Sequence, residues 1–146
     1  MHLIQRMKIW KELRRLEQRA KAQPSPSTFV DLGQVYINLD LHDKAERMAE
    51  DGLALFPKSI ELRQLLDCAL RGLRRRRAQQ LRAKLTRSPS SKLFRQLASI
   101  YLDLGDSNGL HATCQEWSLR FPDDSGSWLM LGQARLTNFY RDLAAR

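Results

Sequence analysis

The run Arg74-Arg75-Arg76-Arg77, continued by Arg82, Lys84 and Arg87, is the densest concentration of chemically active groups in this chain. Guanidinium groups crowded in this way suit contact with the phosphates of nucleic acid, with anionic lipid, or with an acidic protein surface. Segment 58–89 holds ten bases against two acids, and segment 25–57 holds two bases against six acids, in a chain of 146 residues with a formal net charge of +9. The acids Asp40, Asp43, Glu46, Glu50 and Asp51 are therefore available to neutralise part of the arginine charge. Readers of single-stranded nucleic acid interleave basic groups with exposed aromatics. Segment 58–89 contains no aromatic residue, so nucleic acid is the less favoured partner. At helical spacing Arg71, Arg75 and Arg82 are expected on different faces, which makes the patch wrap a hairpin tip and one flank.

Catalytic chemistry is poorly supplied. His2, His42 and His111 are isolated in sequence, and Cys68 and Cys114 form neither a CxxC pair nor a metal-ligand spacing with any histidine. Both cysteines fall on apolar-periodic stretches and are expected to be buried thiols in a reducing compartment. No glycine-rich phosphate loop or nucleophile elbow occurs. Asp123-Asp124 reads as an acidic pair at a helix entrance, where negative charge favours the helix dipole. The expectation is a non-enzymatic chain with no cofactor and no metal. No apolar run approaches the ~20 residues of a membrane span, and Lys8, Lys11, Arg14 and Arg15 interrupt any secretory core at the N-terminus. The expected location is cytoplasmic.

The elements that would position these groups are announced by Pro24, Pro57, Pro89 and Pro122, at intervals of 33, 32 and 33 residues. A fixed period in this range is the signature of stacked helical repeats. Leu3, Met7, Trp10, Leu13, Leu16 and Ala20 recur at three- and four-residue steps, predicting an amphipathic helix over 3–20. Ser27 is expected to cap a helix over 28–39 carrying Phe29, Leu32, Val35 and Tyr36. A turn at 39–43 leads to a helix over 43–55. The next unit runs from Ser59 through Leu62, Leu65, Leu66 and Ala69 to a turn at Gly72-Leu73, then a second helix with Ala78, Leu81 and Leu85. The third unit has Phe94, Leu97, Tyr101 and Leu104, a turn at 105–109, and a helix with Leu110, Cys114 and Trp117. A fourth opens at Ser127 with Trp128, Leu131 and Ala134, and its second helix, from Tyr140, is cut short. No segment alternates with period two, so strand content is expected near zero.

These units resemble tetratricopeptide repeats. Phe29, Leu32-Gly33, Tyr36, Ala45 and Pro57 follow that family's pattern, as do Phe94, Leu97-Ala98, Tyr101, Gly105 and Pro122. The unit at 58–89 keeps Leu62, Leu65, Ala78 and Pro89 but not the Gly and Tyr, and the last unit keeps Trp128 and Leu131-Gly132. The resemblance covers about residues 24–140. It implies an all-α, right-handed solenoid of antiparallel helical hairpins: repeats at 24–57, 58–89 and 90–122, an N-terminal basic amphipathic helix over 1–23, and a partial repeat over 123–146, all in one domain. The small residues Gly33, Ala45, Ala78, Ala98 and Gly132 would let paired helices approach closely.

The resemblance also implies a concave groove lined by the first helix of each hairpin. The matching positions are Gln34, Asn38, Arg63, Asp67, Arg71, Lys92, Arg95, Ser99 and Gln133. Such a groove would hold a peptide or protein partner with acidic side chains or a C-terminal carboxylate. Of the carboxylate-clamp positions of chaperone-binding members, only Lys92 is matched. The alternative is a binder of nucleic acid or an anionic membrane surface, working through the arginine patch and helix 3–20, with Trp10 and Leu13 inserted. The partial fourth unit would leave an apolar face uncovered, which points to self-association or to a continuation of the chain.

Overall fold

In the computed structural model, which describes residues 2–146, each of the four spaced prolines stands two positions past the end of a helix. The elements are α1 (Leu3–Ala22), α2 (Pro26–Asn38), α3 (His42–Leu55), α4 (Ile60–Arg87), α5 (Ser91–Leu104), α6 (Ser107–Arg120) and α7 (Gly126–Ala144), and no strand occurs among the described residues. The fold is all-α. Proline pushes the residue before it out of the helical region. Gln23, Phe56 and Phe121 accordingly sit at φ −135°, −128° and −132°. The cap of α2 is Ser25 and not Ser27. Its hydroxyl accepts from the Thr28 N–H at 3.2 Å, and Thr28 Oγ1 accepts from the Ser25 N–H at 3.0 Å. Pro26 occupies the first helical position, where its missing N–H costs nothing.

The turn expected at Gly72-Leu73 does not form: α4 continues through it. The segment after it is rich in Arg, Ala, Gln, Leu and Lys, all good helix formers, and one interior glycine costs only about 1 kcal/mol. Gly72 serves a different purpose. The His42 ring lies against it, and a Cβ at this position would collide with the ring. The break expected before Tyr140 is likewise absent, because Thr137-Asn138-Phe139 offers no glycine or proline to stop α7. The turns after α2 and α5 form where expected, each through one left-handed residue, Asp40 at φ 61° and Gly105 at φ 69°. They are closed by Leu41 N–H to the Tyr36 carbonyl (2.8 Å) and Asp106 N–H to the Tyr101 carbonyl (3.0 Å).

The chain divides into two compact units, one reaching to Leu73 and the other from Arg74 to Arg146. In the first, α2 packs on α1 and α3. Leu13, Leu16 and Ala20 of α1 pack with Leu32, Tyr36, Ala45 and Ala69, and Phe29, Ala49, Leu62 and Leu65 form a second cluster. Leu3, Met7 and Trp10 do not join them and stay exposed. The three-residue steps from Trp10 to Leu13 to Leu16 each fall ~60° short of a full turn, so the apolar stripe slides off one face. In the second unit, α6 packs on α5 and α7. Ala78, Leu81 and Leu85 of α4 join Phe94, Leu97, Ala98, Tyr101, Leu110, Cys114 and Trp117. Cys68 is exposed and Cys114 buried, both as free thiols.

The buried positions of the two units correspond at one constant offset: Leu13 with Ala78, Leu16 with Leu81, Phe29 with Phe94, Leu32 with Leu97, Tyr36 with Tyr101, Ala45 with Leu110, Ala49 with Cys114, and Leu62 with Ser127. The register of the last unit follows from this series. Ser127 takes the buried place, and Trp128, expected there, is exposed.

Glycines inside helices separate by their surroundings. Gly33 lies against the Leu65 side chain of α4, whereas a Cβ on Gly132 would meet nothing within 4 Å, so the close approach expected at Gly132 is absent. Gly132→Ala is therefore expected to raise stability by about 0.5–1 kcal/mol. Gly72→Ala is expected to lower it by about 1–3 kcal/mol through overpacking against His42. Urea denaturation of both variants checks this, and gains at both positions would mean that the His42 contact is not formed.

Candidate partner-binding surface

In the first unit the groove positions lie on α2 and the start of α4. Gln34 and Asn38 are one turn apart, exposed, and joined by Gln34 Nε2 donating to Asn38 Oδ1 at 3.3 Å. Arg63, Asp67 and Arg71 follow at four-residue steps along α4, all exposed. Ser59 starts this helix, its Oγ accepting from the Leu62 N–H at 3.3 Å. Arg63 donates to the Pro57 carbonyl at 3.0 Å, which ties its guanidinium to the turn before α4. Arg71 Nε lies 3.4 Å from the Asp67 carboxylate. An exposed pair of this kind contributes under ~1 kcal/mol, so either charge can be drawn off by a ligand.

In the second unit Lys92, Arg95 and Ser99 lie along the exposed side of α5, and Gln133 is exposed on α7. Arg95 has its guanidinium carbon 6.0 Å from the centroid of the Trp117 ring. Trp117 is fully buried and stacks in parallel on Phe94 at 6.4 Å. Its Nε1–H donates to Ser91 Oγ at 3.0 Å and to Asp124 Oδ2 at 3.1 Å. Ser91 donates to the same carboxylate, whose other oxygen accepts from the Gly126 N–H at 2.9 Å. The Ser91 hydroxyl, then the Gly126 N–H, with smaller help from Trp117 and the Arg95 charge, hold the Asp124 carboxyl below the usual carboxylate range. Sequence reading placed Asp124 at a helix entrance as a dipole partner. Its role as the polar anchor beneath Arg95 depends on Ser91 and Trp117, which are remote in sequence.

The basic run is arranged differently from the expectation. There is no hairpin tip for it to wrap. Within the second unit the step from Arg75 to Arg82 comes to within about 20° of whole turns, so these two share a side of α4. Arg75, Arg77, Arg82, Lys84 and Arg87 are exposed, and Arg74 and Arg76 are half-buried. Arg82 lies over the Tyr101 ring at 5.2 Å and borders a cavity of about 350 Å³ that also reaches Thr86, Thr113 and Arg120. The matching tyrosine of the first unit, Tyr36, instead donates to Glu17 at 2.7 Å; burial and this bond push its phenol up to about 12.

His42 begins α3 half-buried, with Nε2 2.8 Å from the Asp40 carboxylate. Among the described residues, no group of three His, Cys, Asp or Glu side chains could hold a metal ion, and no helix is long and apolar enough to cross a membrane. No family model, no curated protein and no solved structure matches this chain.

The depressed Asp124 carboxyl sets the sign of one pH effect. A carboxylate whose pKa is lowered on folding adds stability above its unfolded value, near 4, and that stability is lost as pH falls through the folded value. Asp124→Ala is therefore expected to lower the urea midpoint at neutral pH, with the difference from wild type shrinking below about pH 4. A difference that does not change with pH would show that the carboxylate charge has no part in the anchor.

Proposed function

We propose that this chain is a tetratricopeptide-like, non-enzymatic interaction module that binds a protein or peptide segment bearing acidic side chains. The observation that carries this reading is Arg95. It lies over a buried tryptophan, beside Lys92 and Ser99, on an exposed helix face. A guanidinium already laid on a ring loses less side-chain freedom when a carboxylate arrives, and its planar fork suits bidentate contact. Arg63, tied to the Pro57 carbonyl, offers the same advantage in the first unit. The packed helical pairs α2–α3 and α5–α6 support the resemblance to the repeat family.

The alternative, contact with nucleic acid or an anionic membrane through the arginine run, is less well supported. Arg82 is engaged with Tyr101, and Arg74 and Arg76 are half-buried.

A fluorescein-labelled oligoglutamate peptide tests the proposal by anisotropy. Arg63→Glu and Arg95→Glu are each expected to weaken its binding by about tenfold, the loss of one charge-assisted contact, with unchanged helical circular dichroism. Binding indifferent to both changes removes the groove assignment. Oligonucleotide or anionic-vesicle binding that falls steeply with salt and depends only on the α4 arginines would favour the alternative.

A further inference from the structure

The inner side of α7 packs on the second unit through Met130, Leu131 and Ala134. Its opposite side is also apolar. Trp128, Leu129, Leu136, Phe139, Tyr140 and Leu143 are each half or more exposed. At 100° per residue they fall, with Gly132, within one sector of about 120°. No charged residue lies in that sector between 128 and 143. The start of α1 also exposes large apolar residues, Leu3, Ile4, Met7 and Trp10, but the helix that corresponds to α7 does not. At the constant offset relating the two units, α4 carries Arg63, Arg71, Arg74 and Arg75 where α7 carries Trp128, Leu136, Phe139 and Tyr140. An uncharged stripe of this size offers an acidic segment no cation to pair with.

We infer that this face of α7 pairs with the same face of a second copy, the two helices running antiparallel about a two-fold axis near residues 135 and 136. The order of side chains along the stripe is self-complementary in that register. Gly132 of one copy faces Phe139 of the other, Trp128 faces Leu143, and Leu136 sits beside its own counterpart. Gly132 is an open notch, since a Cβ there meets nothing within 4 Å, and the Phe139 ring is the knob that fills it. An isologous contact requires this matching of large with small across the axis. The six exposed side chains present roughly 100 Å² each, or about 600 Å² per copy, against the ~800 Å² per partner of a standard interface. About 1,200 Å² in total lies at the low, transient end of specific interfaces.

Sedimentation velocity from about 1 to 100 µM, a range that brackets micromolar dissociation, tests the pairing. Wild type is expected to shift from monomer to dimer across it. Gly132→Phe fills the notch without touching its own unit and is expected to abolish the dimer while the circular dichroism is kept. Adding Phe139→Ala to Gly132→Phe exchanges knob and notch and is expected to restore the dimer, because each altered residue faces the other across the axis. A wild-type monomer at every concentration overturns the inference. A dimer that survives Gly132→Phe, or a double variant that stays monomeric, overturns the register.

Discussion

Each unit has one slot beside its hairpin phenylalanine, and that slot has to be filled once. In the first unit the filler is Leu62, set against Gly52 and Phe29. A Cβ on Gly52 would come within 2.9 Å of Leu62 and 3.1 Å of Phe29. In the second unit the corresponding positions are exchanged in size. Trp117 stands where Gly52 does, stacked on Phe94, and Ser127 stands where Leu62 does, with Gly126 closing on the indole so tightly that a Cβ would sit 2.7 Å from it. Interiors are packed to near-crystal density, so two large residues would overfill the slot and two small ones would leave a cavity. The surface features follow from which residue is chosen. The indole needs polar partners, which brings in Ser91 and Asp124, and its face carries Arg95. The first unit, with leucine as filler, has no such shelf, and Arg63 is held instead by a carbonyl.

Helix ends and the main core were legible in the chain because they depend on local rules. Proline stops a helix whatever surrounds it, and Leu32, Tyr36, Leu97 and Tyr101 lie at steps that only a helix brings together. What was misread depends on partners remote in sequence. Gly72 carries the sequence signal of a turn, and only the His42 ring packed against it reveals a contact glycine inside a helix. The apolar positions of α4 also change side between Ala69 and Ala78, which reads locally as two helices. Trp128 fits the repeat pattern in type but is one position out of register with the buried series, and its size hid Ser127 beside it.

The candidate groove residues were all found exposed. Periodicity conveys exposure well, since whatever the core does not claim faces outward. It conveys nothing of how firmly a charge is held. Arg63, Arg71 and Arg95 look alike in sequence, yet one is tied to a carbonyl, one shares its charge with Asp67, and one lies on an indole. These differences decide which arginine can meet a carboxylate at least entropic cost. The same logic separates the arginine run, where α4 aligns Arg75 and Arg82, from the uncharged outer side of α7.

The exchange of large and small between Trp117 and Ser127 is tested most directly by a double-mutant cycle in urea. Ser127→Leu in the wild-type background should destabilise by about 1–3 kcal/mol, the cost of overpacking. In a Trp117→Gly background, which imitates the Gly52 and Leu62 arrangement, the same Ser127→Leu change should instead raise stability, giving a coupling larger than the wild-type cost. If Ser127→Leu costs the same in both backgrounds, the two residues do not share a slot and the account of how the units are filled is wrong.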